Sequence, residues 1–360
     1  MKPNLRGKKV LLAMSGGVDS SVAAFLLQQK GAEVIGVYMR LFQAEGVAEE
    51  KARLVARKLG IKFLPINLVD KFKKEVVEYF LDSYASGETP NPCVKCNKRI
   101  KFGELFRMLD VVGADFFATG HYLKKHRLVD DEGFATYHLL RADDLEKDQS
   151  YFLYNLNQAQ LSKTLFPLGE YQKFDIKRIA ADNGLPNIKS ESQDICFLQS
   201  DDKSVEHNIY LQKHIKLKKG SILDESGNKI GEHLGLPLYT VGQRKGVEVS
   251  GGPFYVASLD VNSNNLHVVK NRNDNRLMST RLEAHSVNWL NEKNMNFPLN
   301  CQAVIRYHQK ESACKVRQLE NGRVLVIFQE PQWAVAPGQS IVFYNMDELL
   351  GGGIIMRNSQ

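Results

Sequence analysis

Apolar and polar positions fall into two alternating textures along the first third of the chain. Nearly continuous apolar runs recur at Val10–Met14, Val34–Met39, Phe63–Leu68 and Phe116–Thr119. Runs this short and this apolar predict strands buried on both faces. Between them, Ser20–Lys30, Glu49–Leu59, Lys71–Tyr84 and Arg99–Val112 carry apolar residues at helical spacing. Strand and helix in strict alternation predict an α/β domain with a doubly wound parallel sheet. Ligands of such sheets bind beyond the carboxyl ends of the strands. Residues 151 to about 184 continue as helix, with amphipathic Ile176–Asn183 stopped by Gly184. From about residue 205, short β-like runs are punctuated by Asp224–Gly227, Ser250–Pro253 and Glu320–Gly322. These predict a small central β domain over 205–275 and a C-terminal β-barrel over 276–360, after an N-terminal domain over 1–204.

A chain of 360 residues exceeds one ordinary core, which agrees with several domains. Hydrophobic residues make up 43% and charged residues 25%, the balance of a soluble globular protein. No apolar run approaches a bilayer span and no signal peptide is legible, so a cytoplasmic protein with no membrane partner is expected. Net charge +7 admits a polyanionic partner. Five cysteines in so long a chain form no disulfide framework and point to catalysis, redox chemistry or metal binding.

The first strand runs into Ser15-Gly16-Gly17-Val18-Asp19-Ser20-Ser21 and then at once into helix. Two glycines allow a tight turn and close approach of a ligand, and a helix N-terminus with hydroxyls beside it suits an anion. Neither the Walker lysine nor the third glycine of a dinucleotide fingerprint is present. A second segment, Asn91-Pro92-Cys93-Val94-Lys95-Cys96, leads into a helix rich in lysine and arginine. Positive potential and a helix N-terminus both favour a Cys96 thiolate. Cys196 lies in an apolar stretch, Ser192-Gln-Asp-Ile-Cys-Phe-Leu198, and Cys301 and Cys314 fall in β-like runs where packing is the ordinary role.

The glycine loop resembles that of the ATP pyrophosphatases, which implies cleavage of ATP between the α and β phosphates. With both cysteine segments, Ala118–Tyr122, Lys147–Tyr154, Gly242–Gly246, Pro337–Gln339 and Leu350–Gly353, the chain resembles the tRNA-specific 2-thiouridylases nearly end to end. That resemblance implies ATP-dependent replacement of the 2-oxygen of the wobble uridine (position 34) by sulfur. It implies ATP binding at Ala13, Met14, Ser15, Gly16, Gly17, Val18, Asp19 and Ser20, with Met39 and Gly120 near the adenosine. Mg²⁺ is expected beside Asp19. Cys96 matches the family's nucleophile and Cys196 its persulfide-bearing cysteine. Asn91, Pro92 and Cys93 match positions at the target base. His121, Lys147, Asp148, Gln149, Arg306, Tyr307 and Gln339 match positions that contact tRNA. The implied partners are Lys, Glu and Gln acceptor tRNAs and an upstream persulfide carrier or cysteine desulfurase.

One position departs from the pattern. Many members have aspartate where this chain has Cys93, so Cys93, Cys96 and Cys196 could together ligate a [4Fe–4S] cluster with one open iron. The alternatives are another adenylating enzyme with the same loop, acting on RNA or a small molecule, and a non-catalytic RNA-binding module. The nitrogen chemistry of the former gives no reason for paired cysteines, and the intact loop with Asp19 speaks against the latter.

Overall fold

A computed structural model describes residues 3–42, 46–185, 195–198, 203–247 and 249–357. Ser192–Asp194, which lead into Cys196, and the 199–202 side of the expected boundary near residue 204 lie outside the described residues.

The four apolar runs form parallel strands, Lys9–Ala13, Glu33–Arg40, Lys62–Asn67 and Phe116–Ala118. A short fifth strand, Thr164–Leu165, joins the edge. Taken in chain order the strands stand 3-2-1-4-5, so chain direction across the sheet reverses beside the first strand. The carboxyl ends of the first and fourth strands flank this switch point, where a doubly wound sheet binds its ligand. Ala13 opens the glycine loop there, and Ala118 opens Thr119-Gly120-His121. Two cores sandwich the sheet, one around Val10, Leu12, Val22 and Val55, the other around Leu11, Val37, Phe102 and Phe117. Alternate residues of one strand thus feed opposite faces, which is why the strands read as unbroken apolar runs.

The cysteine helix runs without a break from Pro92 to Val112, and its stretch Asn97–Leu105 is wound in wide π turns. Pro92 suits the first helical position, since its missing N–H has no partner to lose there.

Three parts depart from the expected organisation. Residues 203–214 form a helix, not β structure. Lys124–Val129 and Ala135–Leu140 form an antiparallel hairpin that leaves the first domain and pairs with strand Glu348–Ile355. The region 151–184 holds two short helices, Gln158–Lys163 and Lys173–Asp182, rather than one long one.

The central unit is a four-stranded sheet between Gly220 and Val269. Its core of Ile222, Val256, Leu266 and Val268 also takes in Phe80 and Tyr84 from the first domain's helix Glu78–Ala85. The C-terminal strands from Met278 to Ile355 close into a six-stranded barrel, because Met278–Trp289 pairs with both Val324–Trp333 and Glu348–Ile355. No described helix is long and apolar enough to cross a membrane.

Candidate active site

The glycine loop is shaped by its own hydroxyls. Ser20 Oγ and Ser21 Oγ donate to the Gly17 carbonyl at 3.1 and 2.9 Å, and the Ser15 N–H donates to Ser20 Oγ at 3.2 Å. These serines, expected as ligand donors, therefore fold the turn, and Ser15 is the one left exposed. Gly16 adopts φ +77°, and a Cβ there would stand 2.4 Å from the Ala48 carbonyl oxygen. Gly120 packs on the loop's far side, where a Cβ would stand 3.2 Å from the Ser20 nitrogen. Gly16 is required by contact, Gly120 sits in a tight one, and the two strand-end loops meet directly. Met39, at the end of the second strand, is partly buried in the same carboxyl-end region.

Asp19 is held from two sides. Tyr122 O–H donates to Oδ1 at 2.6 Å, and Lys173 Nζ donates to Oδ1 and Oδ2 at 2.6 and 2.7 Å. Neither partner is legible from the loop motif, because both come from distant segments.

From Gly120 the path leads to the cysteines. His121 is buried; its Nδ1 lies 2.8 Å from Thr119 Oγ1 and its Nε2 lies 3.3 Å from Lys101 Nζ. Burial, with Lys101 adding to it, holds this imidazole well below its ordinary value, so it is neutral at physiological pH. Lys101 is also the cation that opposes the upward shift of both Cys96 and Cys196. Cys96 is buried among Phe72, Val76 and Ile100. Burial pushes its thiol up from the ordinary value, against the expectation that neighbouring lysines would favour thiolate. The desolvation of a buried anion outweighs one nearby ammonium.

Cys196 reaches this place through Phe197, whose ring stands 6.0 Å from Phe72 and 5.1 Å from Phe80. Cys196 keeps an exposed surface, yet the protein crowded around it pushes its thiol up to about 12. Cys96 and Cys93 push in the same direction, which places the three thiols within electrostatic reach of one another. They do not form a metal site as arranged. Among the described residues no group of three His, Cys, Asp or Glu side chains could hold a metal ion. The cluster expected of Cys93, Cys96 and Cys196 therefore finds no support in this arrangement.

Of the segments matched to tRNA contacts, Lys147–Gln149 and Arg306–Tyr307 meet at Tyr307, whereas His121 and Gln339 lie elsewhere. Its O–H donates to the Asp148 carbonyl at 3.0 Å, and its ring stands 4.4 Å from Phe152 and 3.8 Å from exposed His308. Lys147 is half-buried and its N–H donates to the Asp144 carbonyl. The Asp148 carboxylate is buried, accepting from Ala142 N–H at 2.9 Å and Ser150 O–H at 2.6 Å. Gln149 braces Tyr122, accepting its N–H at 3.1 Å. Arg306 is partly buried, and its guanidinium donates to the Val241 and Ala334 carbonyls at 2.9 and 3.0 Å. Gln339 Nε2 donates to the Thr89 carbonyl at 2.9 Å, and Thr89 N–H donates to the Pro337 carbonyl at 2.8 Å. Thr89 Oγ1 also meets Thr240 Oγ1 at 3.0 Å. The segment carrying Asn91, Pro92 and Cys93 is thus pinned by both the central unit and the barrel. Cys301 and Cys314 lie apart from the site on neighbouring barrel strands.

Comparisons with known proteins show the family to which the chain belongs. A family model described as tRNA methyl transferase HUP domain matches residues 8–200. A tRNA methyl transferase PRC-barrel domain matches 208–270, and an aminomethyltransferase beta-barrel domain matches 279–355. The chain is 41% identical to the tRNA-specific 2-thiouridylase MnmA of Clostridioides difficile, over 98% of this chain and 99% of that protein. It is 44% identical to the tRNA-specific 2-thiouridylase MnmA 2 of Clostridium botulinum, over 96% of this chain and 98% of that one. A Clostridium tetani relative of that name is 43% identical over 98% of this chain and 99% of its own length.

Proposed function

Because the chain belongs to the tRNA-specific 2-thiouridylase family and is therefore a tRNA sulfurtransferase of the pyrophosphatase-loop class, we propose how its own residues divide the reaction. The 2-oxygen of uridine 34 attacks the α-phosphorus of ATP held on the loop from Ala13 to Ser20, and pyrophosphate leaves. The adenylated oxygen is then a good leaving group. A persulfide carried on Cys196 attacks C2 through its outer sulfur, and AMP departs. The Cys96 thiolate attacks the inner sulfur of that Cys196–S–S–C2 link. A Cys96–Cys196 disulfide forms, the C2–sulfur pair leaves as the 2-thiouridine, and an external thiol later reduces the disulfide.

The observation that carries this reading is the single path from loop to thiols, Ser20 to Gly120, His121, Lys101 and then Cys96 with Cys196. The division of exposure supports the roles. An upstream carrier can reach exposed Cys196, whereas buried Cys96 waits for a partner brought to it. Lys101 is a further residue of the site, favouring the thiolate that exchange requires. Asp19 with the ATP phosphates fits Mg²⁺, which takes one or two carboxylates and completes its shell with phosphate and water. That ion would neutralise phosphate charge during adenylation. Uridine 34 of Lys, Glu and Gln tRNAs, in a cytoplasmic setting, is the proposed substrate, and 1–204, 205–275 and 276–360 the proposed domains. The cluster of tilted rings from Phe152, Tyr307 and His308 suits an unpaired base turned out of its loop.

Mass spectrometry of wobble nucleosides tests the substrate. A strain lacking this gene loses 2-thiouridine at position 34 and regains it on complementation. Unchanged 2-thiouridine would overturn the proposal.

A further inference from the structure

We propose that Lys173 is a latch on the glycine loop: in the nucleotide-free protein it closes Asp19 against a metal ion, and on binding ATP its ammonium transfers to the phosphates. The inference rests on the reading of the loop as an ATP site.

Three hydrogen bonds converge on one carboxylate. Lys173 Nζ spans both oxygens of Asp19 at 2.6 and 2.7 Å, and Tyr122 O–H takes Oδ1 at 2.6 Å. An ammonium astride both oxygens repels a divalent cation from the direct coordination that Asp19 would otherwise offer. The loop lacks the lysine with which other phosphate loops grip their nucleotide, and Lys173 supplies one from 154 residues away. Its base and its tip are secured differently. The backbone N–H of Lys173 donates to Asp144 Oδ2 at 2.8 Å, fixing the first residue of helix Lys173–Asp182. The tip, resting over the Tyr122 ring at 5.6 Å, is carried on four flexible methylenes. It can leave Asp19 while the helix stays in place.

Charge dictates the order of events. Asp19 and Lys173 neutralise each other in this ion pair. An arriving nucleotide brings several negative charges and its own magnesium. Phosphate oxygens then outcompete a single carboxylate for the ammonium, and the freed Asp19 faces the metal. The pair therefore makes metal binding depend on nucleotide.

Titration of the full-length protein with Mn²⁺, followed by electron paramagnetic resonance, tests the latch without reference to turnover. The parent protein binds Mn²⁺ weakly until α,β-methylene-ATP is added. Lys173→Met binds Mn²⁺ without nucleotide at least about tenfold more tightly than the parent, and adding Asp19→Asn removes the gain. The same variant binds the analogue, with metal chelated, at least about tenfold more weakly. Lys173→Arg restores nucleotide binding, and Lys173→Gln carries the same expectation should the Met variant not fold. Equal Mn²⁺ affinity in Lys173→Met and parent, or unchanged metal-free affinity for the analogue, would overturn the latch. Failure of the parent itself to bind the analogue would instead overturn the ATP reading.

Discussion

Gly16→Ala separates backbone strain from steric exclusion at the glycine loop. Gly16 has φ +77°, and the new Cβ would stand 2.4 Å from the Ala48 carbonyl oxygen and 3.3 Å from the Ala52 nitrogen. Both atoms are backbone of helix Gly46–Leu59, and Ala52 is fully buried, so neither can rotate away. Reaching an ordinary contact near 3.4 Å requires loop and helix to part by about 1 Å (3.4 less 2.4). The left-handed conformation costs an alanine roughly 1–2 kcal/mol. Overpacking of a close contact adds roughly 1–3 kcal/mol. Gly60, just past the same helix, has φ +65°, and a Cβ added there would meet nothing within 4 Å, so Gly60→Ala carries the first cost alone. Urea denaturation should therefore show Gly16→Ala less stable than Gly60→Ala by roughly 1–3 kcal/mol. Calorimetric titration should show ATP affinity lost by at least about tenfold in Gly16→Ala, each factor of ten being about 1.4 kcal/mol, and retained in Gly60→Ala. Equal stability of the two variants, or ATP binding in Gly16→Ala that matches the parent, would refute the reasoning.

Other outcomes follow from the same geometry. Asp19→Ala should abolish AMP release while filter binding of tRNA stays largely intact; equal loss of both would deny Asp19 its place at the phosphates. Binding of tRNA should weaken steeply between low and physiological salt as counterions are released, and a flat dependence would contradict docking on a basic surface. Arg306→Ala frees the Val241 and Ala334 carbonyls, so it should weaken tRNA binding with ATP affinity unchanged, measured by separate titrations. Because burial raises the Cys96 thiol and Lys101 opposes that rise, single-turnover sulfur transfer should speed up as pH rises through neutrality. Lys101→Met should move that profile to higher pH, and an unmoved profile would remove Lys101 from the thiol chemistry. Gln339→Ala removes the hydrogen bond to the Thr89 carbonyl, worth about 1 kcal/mol, and should slow sulfur transfer severalfold without altering ATP binding.

The sheet was legible because its strands are buried on both faces and read as apolar runs such as Val34–Met39. The glycine loop was legible because its function is local, concentrated in seven consecutive residues from Ser15 to Ser21. The hairpin Lys124–Leu140 was not, because its first strand, Lys-Lys-His-Arg-Leu-Val, is mostly exposed and carries little alternation. Its place is set by pairing with residues more than 200 positions later, such as Leu139 with Leu349. The partners of Asp19 and the cysteines escaped for a related reason. Lys173 opens an ordinary amphipathic helix and Lys101 is one of several lysines beside Cys96, so nothing local distinguishes either. Local composition also misjudged the Cys96 thiol, since burial depends on Phe72 and Val76 from another helix. The serines of the loop carry the opposite lesson: hydroxyls that suit a ligand are engaged by the Gly17 carbonyl and shape the turn.

The central claim is that one site couples ATP cleavage to sulfur transfer through Cys96 and Cys196. Reconstitution with purified protein, unmodified tRNA carrying uridine 34, Mg²⁺-ATP, a persulfide donor and a thiol reductant measures both products together. The account predicts one AMP released for each 2-thiouridine formed. It also predicts no 2-thiouridine from Cys96→Ser or Cys196→Ser, though ATP binding persists in both. Formation of 2-thiouridine without ATP, or by the variant lacking both cysteines, would contradict it.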